Sequence, residues 1–471
     1  MKRYQVVRIA LVAGVLGGPL ACNNLSELTG STQLPAGTVD PSTFANPAGA
    51  MAMYENALYT FQYAQISTQS VGGVSGATSG SFGAFLEYAL ESGVFTDELQ
   101  PGNLGAPAAT YSSLSGVLWD SIDARQVNPS GNSAAVYSSL QNVRGAASLA
   151  LGALAAYDPA APPDLRGQLY ALRGYSIVML AEFYCSGVPL STLTFNGDYT
   201  YASPSTSTQL YQAAIVQFDS ALGLLPDSTR IMYMARVGEG RALLDLGEYA
   251  QAAQAVATVP DNFQYQFYVN WNDELVGSQG IFSAFGNVGA TESDKEGGNG
   301  MPFRSSGDPR SAAQVAANSP NAYGKTQYVP LKYGGASRGV WPITVADGME
   351  ARLIEAEAAY QASDYTTWLN KLNDARGIAN SSLPALTDPG DDPDRVTLMF
   401  QERAYDLFLT GHRQGDLRRL VRQYGMSQNE VYPTGAYGGG PVNVYGSDVN
   451  VPVPNQERTN PYFNGCLSRG A

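Results

Sequence analysis

Apolar residues recur every three to four positions along most of the chain, and this spacing predicts amphipathic α-helices. The strongest pattern covers residues 165–184, where it places Leu169, Leu172, Ile177 and Phe183 in the core. We therefore predict a mainly α protein. Similar spacing predicts further helices within residues 54–65, 114–127, 134–157, 210–226, 235–259, 348–377 and 402–409.

Several of these helices carry the marks of tetratricopeptide repeats. The helix that starts at Leu210 closes at Pro226, and the run from Leu246 to Tyr249 has the Leu-Gly-x-Tyr turn of such a repeat. Helix pairs of this kind stack into one continuous structure, so a long chain need not divide into several domains. We expect a single α-helical domain over residues 45–471.

Two long stretches lack helical spacing, residues 67–110 and 261–347. The first is rich in Gly and Ser, and the second is rich in aromatic residues and Gly. Loops of this length inside a compact protein are usually functional or disordered, and the aromatic content of the second argues against disorder. We interpret both stretches as irregular insertions that form a ligand-binding face.

The N-terminus predicts export. Lys2, Arg3 and Arg8 flank a short apolar run at residues 9–16, which is too short to span a bilayer but suits a signal peptide. Ala21 precedes Cys22 as in a lipoprotein cleavage site, although Pro19 stands where Leu is usual. We predict a signal peptide at residues 1–21, lipidation at Cys22 and a polar tether at residues 22–44, with an ordinary secreted protein as the alternative.

Charge and composition narrow the classes of partner. Removing residues 1–21 takes away three basic residues and no acidic one, so the formal net charge falls from −14 to −17. Such a surface repels nucleic acid and anionic lipid, and we expect no nucleic-acid partner. Only 14% of the residues are charged, whereas 29 are tyrosines. Neutral ligands such as glycans or peptides suit this surface.

Two cysteines remain beyond Cys22, namely Cys185 at the end of the strongest helix and Cys466 near the C-terminus. An even pair in an exported protein favours a disulfide bond, which would attach the C-terminal tail to the helices. Two free buried thiols are the alternative.

The block from Phe400 to Leu420 holds Glu402-Arg403, a break at Gly411, and then Arg413, Asp416 and two further arginines. It resembles the signature near the C-terminus of the SusD/RagB family. Three other segments, residues 173–190, 353–377 and 451–461, are similar to family segments in the same order. Thr410 and Gln414 depart from the usual pattern, and the N-terminal third matches in helix pattern only.

The resemblance implies an outer-membrane lipoprotein on the cell surface that binds an oligosaccharide or a peptide. It would deliver this nutrient to a SusC-like TonB-dependent transporter, without a cofactor and without acting as an enzyme. Within the signature, charges of opposite sign alternate at helix spacing. They predict a solvated or half-buried network of ion pairs between helices.

Few residues suggest catalysis. His412 is the only histidine, so we predict no metal site of the usual kind and a structural or surface role for this residue. Residues 335–339 match the Gly-x-Ser-x-Gly pattern of serine hydrolases around Ser337, but Pro342 opposes the helix that such a site requires. Asp97 and Glu98 provide a carboxylate pair for an alternative, a surface glycoside hydrolase. A tetratricopeptide scaffold that binds other proteins is a further alternative to the nutrient-binding lipoprotein.

For ligand binding, aromatic rings stack on the apolar faces of sugars while amide and charged groups meet the hydroxyls. Trp119 and Trp368 lie on amphipathic helices, so we assign them to the core. Packing of the second loop against the helices is the alternative for its aromatic residues. The predicted ligand-binding residues are Trp271, Trp341, Phe285, Tyr328, Asp308 and Arg310.

Overall fold

The computed structural model describes residues 45–62, 83–102, 116–129, 134–225, 229–270, 290–316, 319–321, 324–333, 340–438 and 442–471. Helices dominate these residues, as the apolar spacing predicts. The α-helices in them are α1 (Pro47–Gln62), α2 (Ala84–Phe95), α3 (Gly116–Asp123), α4 (Ala134–Tyr157), α5 (Pro163–Phe183), α6 (Ser207–Leu222), α7 (Arg230–Leu246), α8 (Tyr249–Val256), α9 (Gly348–Gln361), α10 (Tyr365–Ala379), α11 (Asp392–Asp406), α12 (His412–Arg422) and α13 (Gln428–Val431).

Consecutive helices stack in the tetratricopeptide manner. α4 packs between α1 and α5, α6 packs between α5 and α7, and α8 lies between α7 and α9, which pairs with α10. The side chain of Phe218 in α6 lies against Gly174 of α5 and Gly238 of α7. A Cβ atom at Gly238 would lie 2.5 Å from Cζ of Phe218, so the absence of side chains at these two positions allows the close packing.

The second predicted insertion is more regular than expected, because its two ends pair as antiparallel strands. Ile343 lies opposite Phe267, and the pairing shifts register between Thr344 and Ala346. Short two-stranded sheets make up the remaining β-structure of the described residues. The strands are β1 (Leu99–Pro101), β2 (Val188–Pro189), β3 (Thr192–Leu193), β4 (Tyr199–Thr200), β5 (Pro204–Ser205), β6 (Gln264–Asn270), β7 (Ala290–Glu292), β8 (Ala313–Val315), β9 (Tyr328–Pro330) and β10 (Val340–Asp347), paired as β1–β7, β2–β5, β3–β4, β6–β10 and β8–β9.

The charged signature forms a buried network of ion pairs, whereas the sequence pattern predicts a solvated or half-buried one. Asp416 of α12 accepts hydrogen bonds from Arg403 and Arg419 at 2.9 Å each. Arg419 also pairs with Glu357 of α9 at 2.9 Å. All four side chains are almost completely buried. Because each charge has a partner, the network joins α9, α11 and α12 without leaving an unpaired buried ion.

The C-terminal tail lies against the end of α5. Cys185 and Cys466 form a disulfide bond. The amide of Cys185 donates to the carbonyl of Val451 at 2.8 Å, and the amide of Leu467 donates to the carbonyl of Ser186 at 2.7 Å. None of the described helices has the length and apolarity needed to cross a membrane.

Candidate functional site

A cleft of about 410 Å³ lies beside strands β1, β7 and β9. Gln100 of β1 comes from the first predicted insertion, while Thr291, Glu292 and Tyr328 come from the second. The fold therefore brings parts of both insertions to one site. Its volume is within the range of small-molecule pockets, roughly 300–1,000 Å³.

Strand pairing fixes the positions of these side chains. Gln100 lies opposite Thr291 in the β1–β7 pair. The hydroxyl of Thr291 accepts a hydrogen bond from the amide of Tyr328 at 2.8 Å and donates to its carbonyl at 3.3 Å. One threonine thus joins β7 to β9. The cleft is built on backbone contacts rather than on side chains alone.

Arg304 stacks on the ring of Tyr328, with its guanidinium carbon 3.9 Å from the ring centroid. Its Nη1 donates to the carbonyl of Glu292 at 3.1 Å, and its Nη2 lies 3.6 Å from the carboxylate of Asp294. A cation on an aromatic face is stabilised by the ring quadrupole. These contacts hold the Tyr328 ring in one orientation at the cleft.

Glu292 lines the cleft with a carboxyl group that has no hydrogen-bond partner among the described residues. Burial raises its pKa to about 8, with Arg304 opposing the shift and Asp294 adding to it. At neutral pH this group is therefore mostly protonated. A protonated carboxyl can both donate and accept a hydrogen bond, which suits a ligand hydroxyl.

The remaining lining is mostly neutral and polar. Thr326 and Gln327 supply a hydroxyl and an amide, and Lys325 supplies the second positive charge beside Arg304. An aromatic ring with amide, hydroxyl and carboxyl groups around it can bind a ligand rich in hydroxyls. Glycoside hydrolysis requires two carboxyl groups, and Glu292 is the only carboxyl residue among the described lining residues.

The structure places one predicted ligand-binding residue, Tyr328, at the cleft. Trp341 lies in β10, where it is partly buried against the core. Asp308 and Arg310 are committed to an ion-pair network and do not reach the cleft. Arg310 pairs with Asp308 at 2.7 Å, and its side chain is 4% exposed. It also pairs with Glu402 at 2.8 Å and Asp406 at 2.7 Å in α11, and ligand binding by Asp308 and Arg310 stays a prediction.

Other predicted features lie outside the described residues. They include the ligand candidates Trp271 and Phe285, the signal peptide and tether with Cys22, and the serine-hydrolase pattern at residues 335–339.

The carboxylate pair of the hydrolase alternative is structural. Asp97 binds Arg413 through both carboxylate oxygens, each contact being 2.7 Å. Glu98 accepts a hydrogen bond from the amide of Leu409 at 2.8 Å. Both side chains are fully buried. The pair attaches the segment after α2 to α12 and to the segment that precedes α12, and neither side chain is exposed.

His412 is also buried. Its Nδ1 lies 2.7 Å from the hydroxyl of Thr410, and its Nε2 lies 2.8 Å from Glu350 and 2.9 Å from Arg241. Burial and Arg241 hold the pKa of His412 well below its ordinary value, so the ring stays neutral. The described residues contain no group of three or more acidic, histidine or cysteine side chains placed to hold a metal ion.

Sequence reasoning missed most of the cleft, namely Gln100, Glu292, Arg304, Lys325 and Gln327. The one sequence feature that pointed to these residues was their position within the two predicted insertions. Residue type did not distinguish them, since polar residues are frequent throughout both stretches. Only the pairing of β1 with β7 brings Gln100 near residues about 190 positions further along the chain.

No protein-family model and no curated protein sequence matches this chain. Solved structures do match its fold. A SusD superfamily protein from Bacteroides fragilis has a TM-score of 0.61 and 15% identity, and the match covers 89% of this chain and 99% of that one. Surface glycan-binding protein A from Bacteroides thetaiotaomicron, solved in complex with laminarihexaose, has a TM-score of 0.59, 12% identity and coverage of 89% and 99%.

A laminarin-binding SusD-like protein has a TM-score of 0.54 and 15% identity, with 90% of this chain and 99% of that one covered. At these identities the likeness concerns the fold. It confirms the predicted fold class: the chain has the SusD-like fold, with helices of the tetratricopeptide type.

Proposed function

We propose that this chain, which has the SusD-like fold, is a SusD/RagB family lipoprotein that binds an oligosaccharide in the cleft around Tyr328. One observation carries the proposal: on this fold, the cleft combines an oriented aromatic ring with amides and a buried carboxyl group that has no hydrogen-bond partner among the described residues. Two structures of the same fold support a sugar ligand over a peptide, since one holds laminarihexaose and the other is described as laminarin-binding.

Binding would use the two kinds of surface that a sugar ring presents. Its apolar face stacks on Tyr328, and its hydroxyls meet Gln100, Gln327 and Glu292. Arg304 keeps the Tyr328 ring oriented before the ligand arrives, which lowers the entropy cost of binding. No bond in the ligand is broken, and the chain acts as a binder.

Delivery would follow at the outer membrane. We propose that acyl chains on Cys22 hold the protein at the cell surface and that a SusC-like TonB-dependent transporter is its partner. The protein would act as a lid that passes its ligand to the barrel. Acyl anchoring of this kind requires no membrane-spanning helix in the protein.

The binding proposal is tested by calorimetry with laminarihexaose, maltohexaose, xylohexaose and a mixture of short peptides. We expect one class of sugar to bind and Tyr328→Ala to weaken its affinity at least tenfold. Tyr462→Ala is the matched control, because Tyr462 is 57% exposed and is not among the described residues that line the cleft. Binding of the peptides alone, or equal affinity in Tyr328→Ala, would contradict the proposal.

Turnover is examined in the same samples by chromatography of the sugar after long incubation. We expect the oligosaccharide to remain intact. Shorter products that disappear in Glu292→Gln would show a hydrolase instead of a binder.

The delivery proposal is tested by purifying the protein from outer membranes in mild detergent and identifying co-purified chains by mass spectrometry. We expect a large β-barrel transporter in near-equal amount, and loss of membrane association in Cys22→Ala. Recovery from membranes without any barrel would exclude the role as a lid.

A further inference from the structure

A second cavity, of about 600 Å³, lies between α1, α4 and the segment that carries β2, β3 and β4. It shares no described lining residue with the cleft around Tyr328. Every residue discussed for it below belongs to the described part of the chain. The cavity is therefore a separate candidate for ligand binding.

One face of α4 forms much of this cavity. The opposite face of α4 packs in the core through Val136, Leu140 and Val143. The remaining positions, among them Gln141 and Asn142, line the cavity with amide and hydroxyl groups. Neutral groups that both donate and accept hydrogen bonds match the hydroxyls of a saccharide.

Tyr199 of β4 adds an aromatic surface to the rim. Its side chain is 56% exposed although the ring is large and apolar. The ring of Tyr201 packs edge-on against it, with the centroids 4.9 Å apart. An exposed ring held by a second ring is a suitable platform for the apolar face of a sugar.

Arg144 gives the cavity a charge that the described residues do not neutralise. The residue is 7% exposed. Its guanidinium donates to the amide oxygen of Gln141 and, at 3.4 Å, to the carbonyl of Ser191. None of the ion pairs among the described residues includes Arg144, and its Nε has no hydrogen-bond partner there.

The surroundings of Arg144 increase the demand for a negative partner. Burial, and then the nearby Arg173, lower the pKa of Arg144 to about 10, so the guanidinium stays protonated at neutral pH. Glu457 also lines the cavity, and its charge opposes this lowering of the Arg144 pKa, but it makes no ion pair with Arg144 and accepts a hydrogen bond from the hydroxyl of Tyr137 at 2.8 Å. A buried cation without an ionic partner is costly, and a carboxylate that binds it recovers part of that cost.

We propose that this cavity is a second saccharide site, selective for an acidic sugar whose carboxylate pairs with Arg144 while its ring packs on Tyr199. Guanidinium and carboxylate can form two parallel hydrogen bonds, which gives both strength and orientation. The net charge of −17 of the mature chain opposes this only weakly, because physiological salt screens the charges that lie more than about 8 Å from the site. The site does not depend on the cleft around Tyr328.

The test uses two probes that differ only at the carboxyl groups, tetragalacturonate, in which they are charged, and its fully methyl-esterified form, in which they are neutral. Binding to the full mature chain is measured by calorimetry at neutral pH. We expect the acid to bind at least tenfold more tightly than the ester. Raising the salt concentration from 50 mM to 500 mM should weaken the binding of the acid and leave that of the ester unchanged.

Variants locate the binding. Arg144→Gln and Tyr199→Ala should each lower the affinity for tetragalacturonate at least tenfold, whereas Tyr328→Ala should leave this affinity unchanged. Because Arg144 is buried, its replacement can destabilise the fold. The binding result for Arg144→Gln is therefore used only if the thermal melting curve of this variant matches that of the wild type. Tyr199 is exposed, and Tyr199→Ala keeps the test valid if the arginine variant unfolds.

Two results would overturn the proposal. Equal affinity for the acid and the ester, or no binding of either, would show that the cavity does not select a carboxylate. If Tyr328→Ala abolished binding of tetragalacturonate and Tyr199→Ala did not, the binding site would be the cleft around Tyr328. Failure of neutral sugars to bind the cleft would not affect either result, so the two proposals are tested separately.

Discussion

Gly411 determines how the chain passes from α11 to α12. Its φ is +81°, in the left-handed region, and a Cβ atom there would lie 2.3 Å from Cε1 of Tyr88. The Tyr88 hydroxyl donates to the carbonyl of Gly411 at 2.8 Å, so the ring cannot move away freely. Glycine meets both the conformational and the steric requirement.

Gly411→Ala should therefore lower the free energy of unfolding by about 2–5 kcal/mol, through backbone strain and overpacking together. Gly425→Ala is the control, since Gly425 has a φ of +69° and no atom within 4 Å of an added Cβ. It should lose only about 1–2 kcal/mol. Urea denaturation measures both variants, and equal losses would show that the Tyr88 contact has no effect.

Glu98 should make stability depend on pH. Burial raises its pKa from 4.5 to about 8, so between these values the folded protein keeps a proton that the unfolded chain releases. The stability contributed by this group is fully present below pH 4.5 and is lost as the pH rises to 8. The slope for one proton is about 1.4 kcal/mol per pH unit.

Glu98→Gln keeps the acceptor for the amide of Leu409 and removes the titration. We expect its free energy of unfolding, measured by urea denaturation from pH 5 to pH 8, to fall less steeply than that of the wild type. Other buried carboxyl groups titrate in both proteins, so the difference between the two curves isolates Glu98. Parallel curves would contradict the assignment of a raised pKa to this residue.

The charged signature shows the limit of prediction at this scale. Alternating signs near Arg403 and Asp416 correctly indicate ion pairs between helices. The sequence does not reveal that the pairs are buried, because burial depends on packing against other helices, one of which supplies Glu357 as a partner of Arg419. The same reason explains why the loop residue Arg310 is a member of the network.

At the scale of elements, helix pairs are predictable because local signals agree. The turn between α9 and α10 is such a case: Asp364 caps α10 by accepting a hydrogen bond from the amide of Thr367 at 3.1 Å. The β6–β10 pair was missed. Residues 264–267 alternate polar and aromatic side chains, but this alternation covers only four residues. The partner strand lies about 75 residues away, so no local pattern indicates the pairing.

The Phe218 ring packs against both neighbouring helices, α5 and α7. A double-mutant cycle with Gly238 measures the energy of its contact with α7. Gly238→Ala should cost about 1–3 kcal/mol, because the new Cβ meets the Phe218 ring. Phe218→Leu should cost a similar amount through lost packing. Together they should cost less than the sum by at least 0.5 kcal/mol, since leucine leaves room for the added methyl group.

The cycle is measured by guanidinium denaturation, with Gly377→Ala as the control for adding a methyl group to a helix. Nothing lies within 4 Å of a Cβ at Gly377, so this variant should be neutral or more stable by up to about 1 kcal/mol. Additive losses at Gly238 and Phe218 would mean that the two residues do not interact.

At the scale of the molecule, the fold was predictable and the cleft was not. Apolar spacing and the order of four family-like segments were sufficient for the SusD-like fold. The cleft requires the register of β1 against β7 and the threonine link to β9, which no local pattern in the sequence specifies. Tyr328 was predicted because aromatic residues are common in sugar sites, and it does line the cleft; its polar neighbours were not predicted.

The Cys185–Cys466 bond should matter for the stability of the whole chain. Cys466→Ser should lower the free energy of unfolding by about 2–5 kcal/mol, because the unfolded chain gains the freedom that the cross-link removes. Guanidinium denaturation measures this. A reducing agent should bring the wild type close to the variant and leave the variant unchanged. No difference between the oxidised proteins would show that the bond adds nothing to stability.

The same bond determines which part of the chain can be extended by a pulling force. It joins cysteines 281 positions apart, so tension applied between residue 47 and the C-terminus cannot extend the chain inside that loop. Unravelling residues 47–184 would release about 50 nm at roughly 3.6 Å per residue. That segment carries Gln100, whereas Thr291 and Tyr328 lie within the protected loop. Tension across that segment would therefore separate Gln100 from Thr291 and Tyr328, while the helices inside the loop closed by the disulfide bond would carry no load.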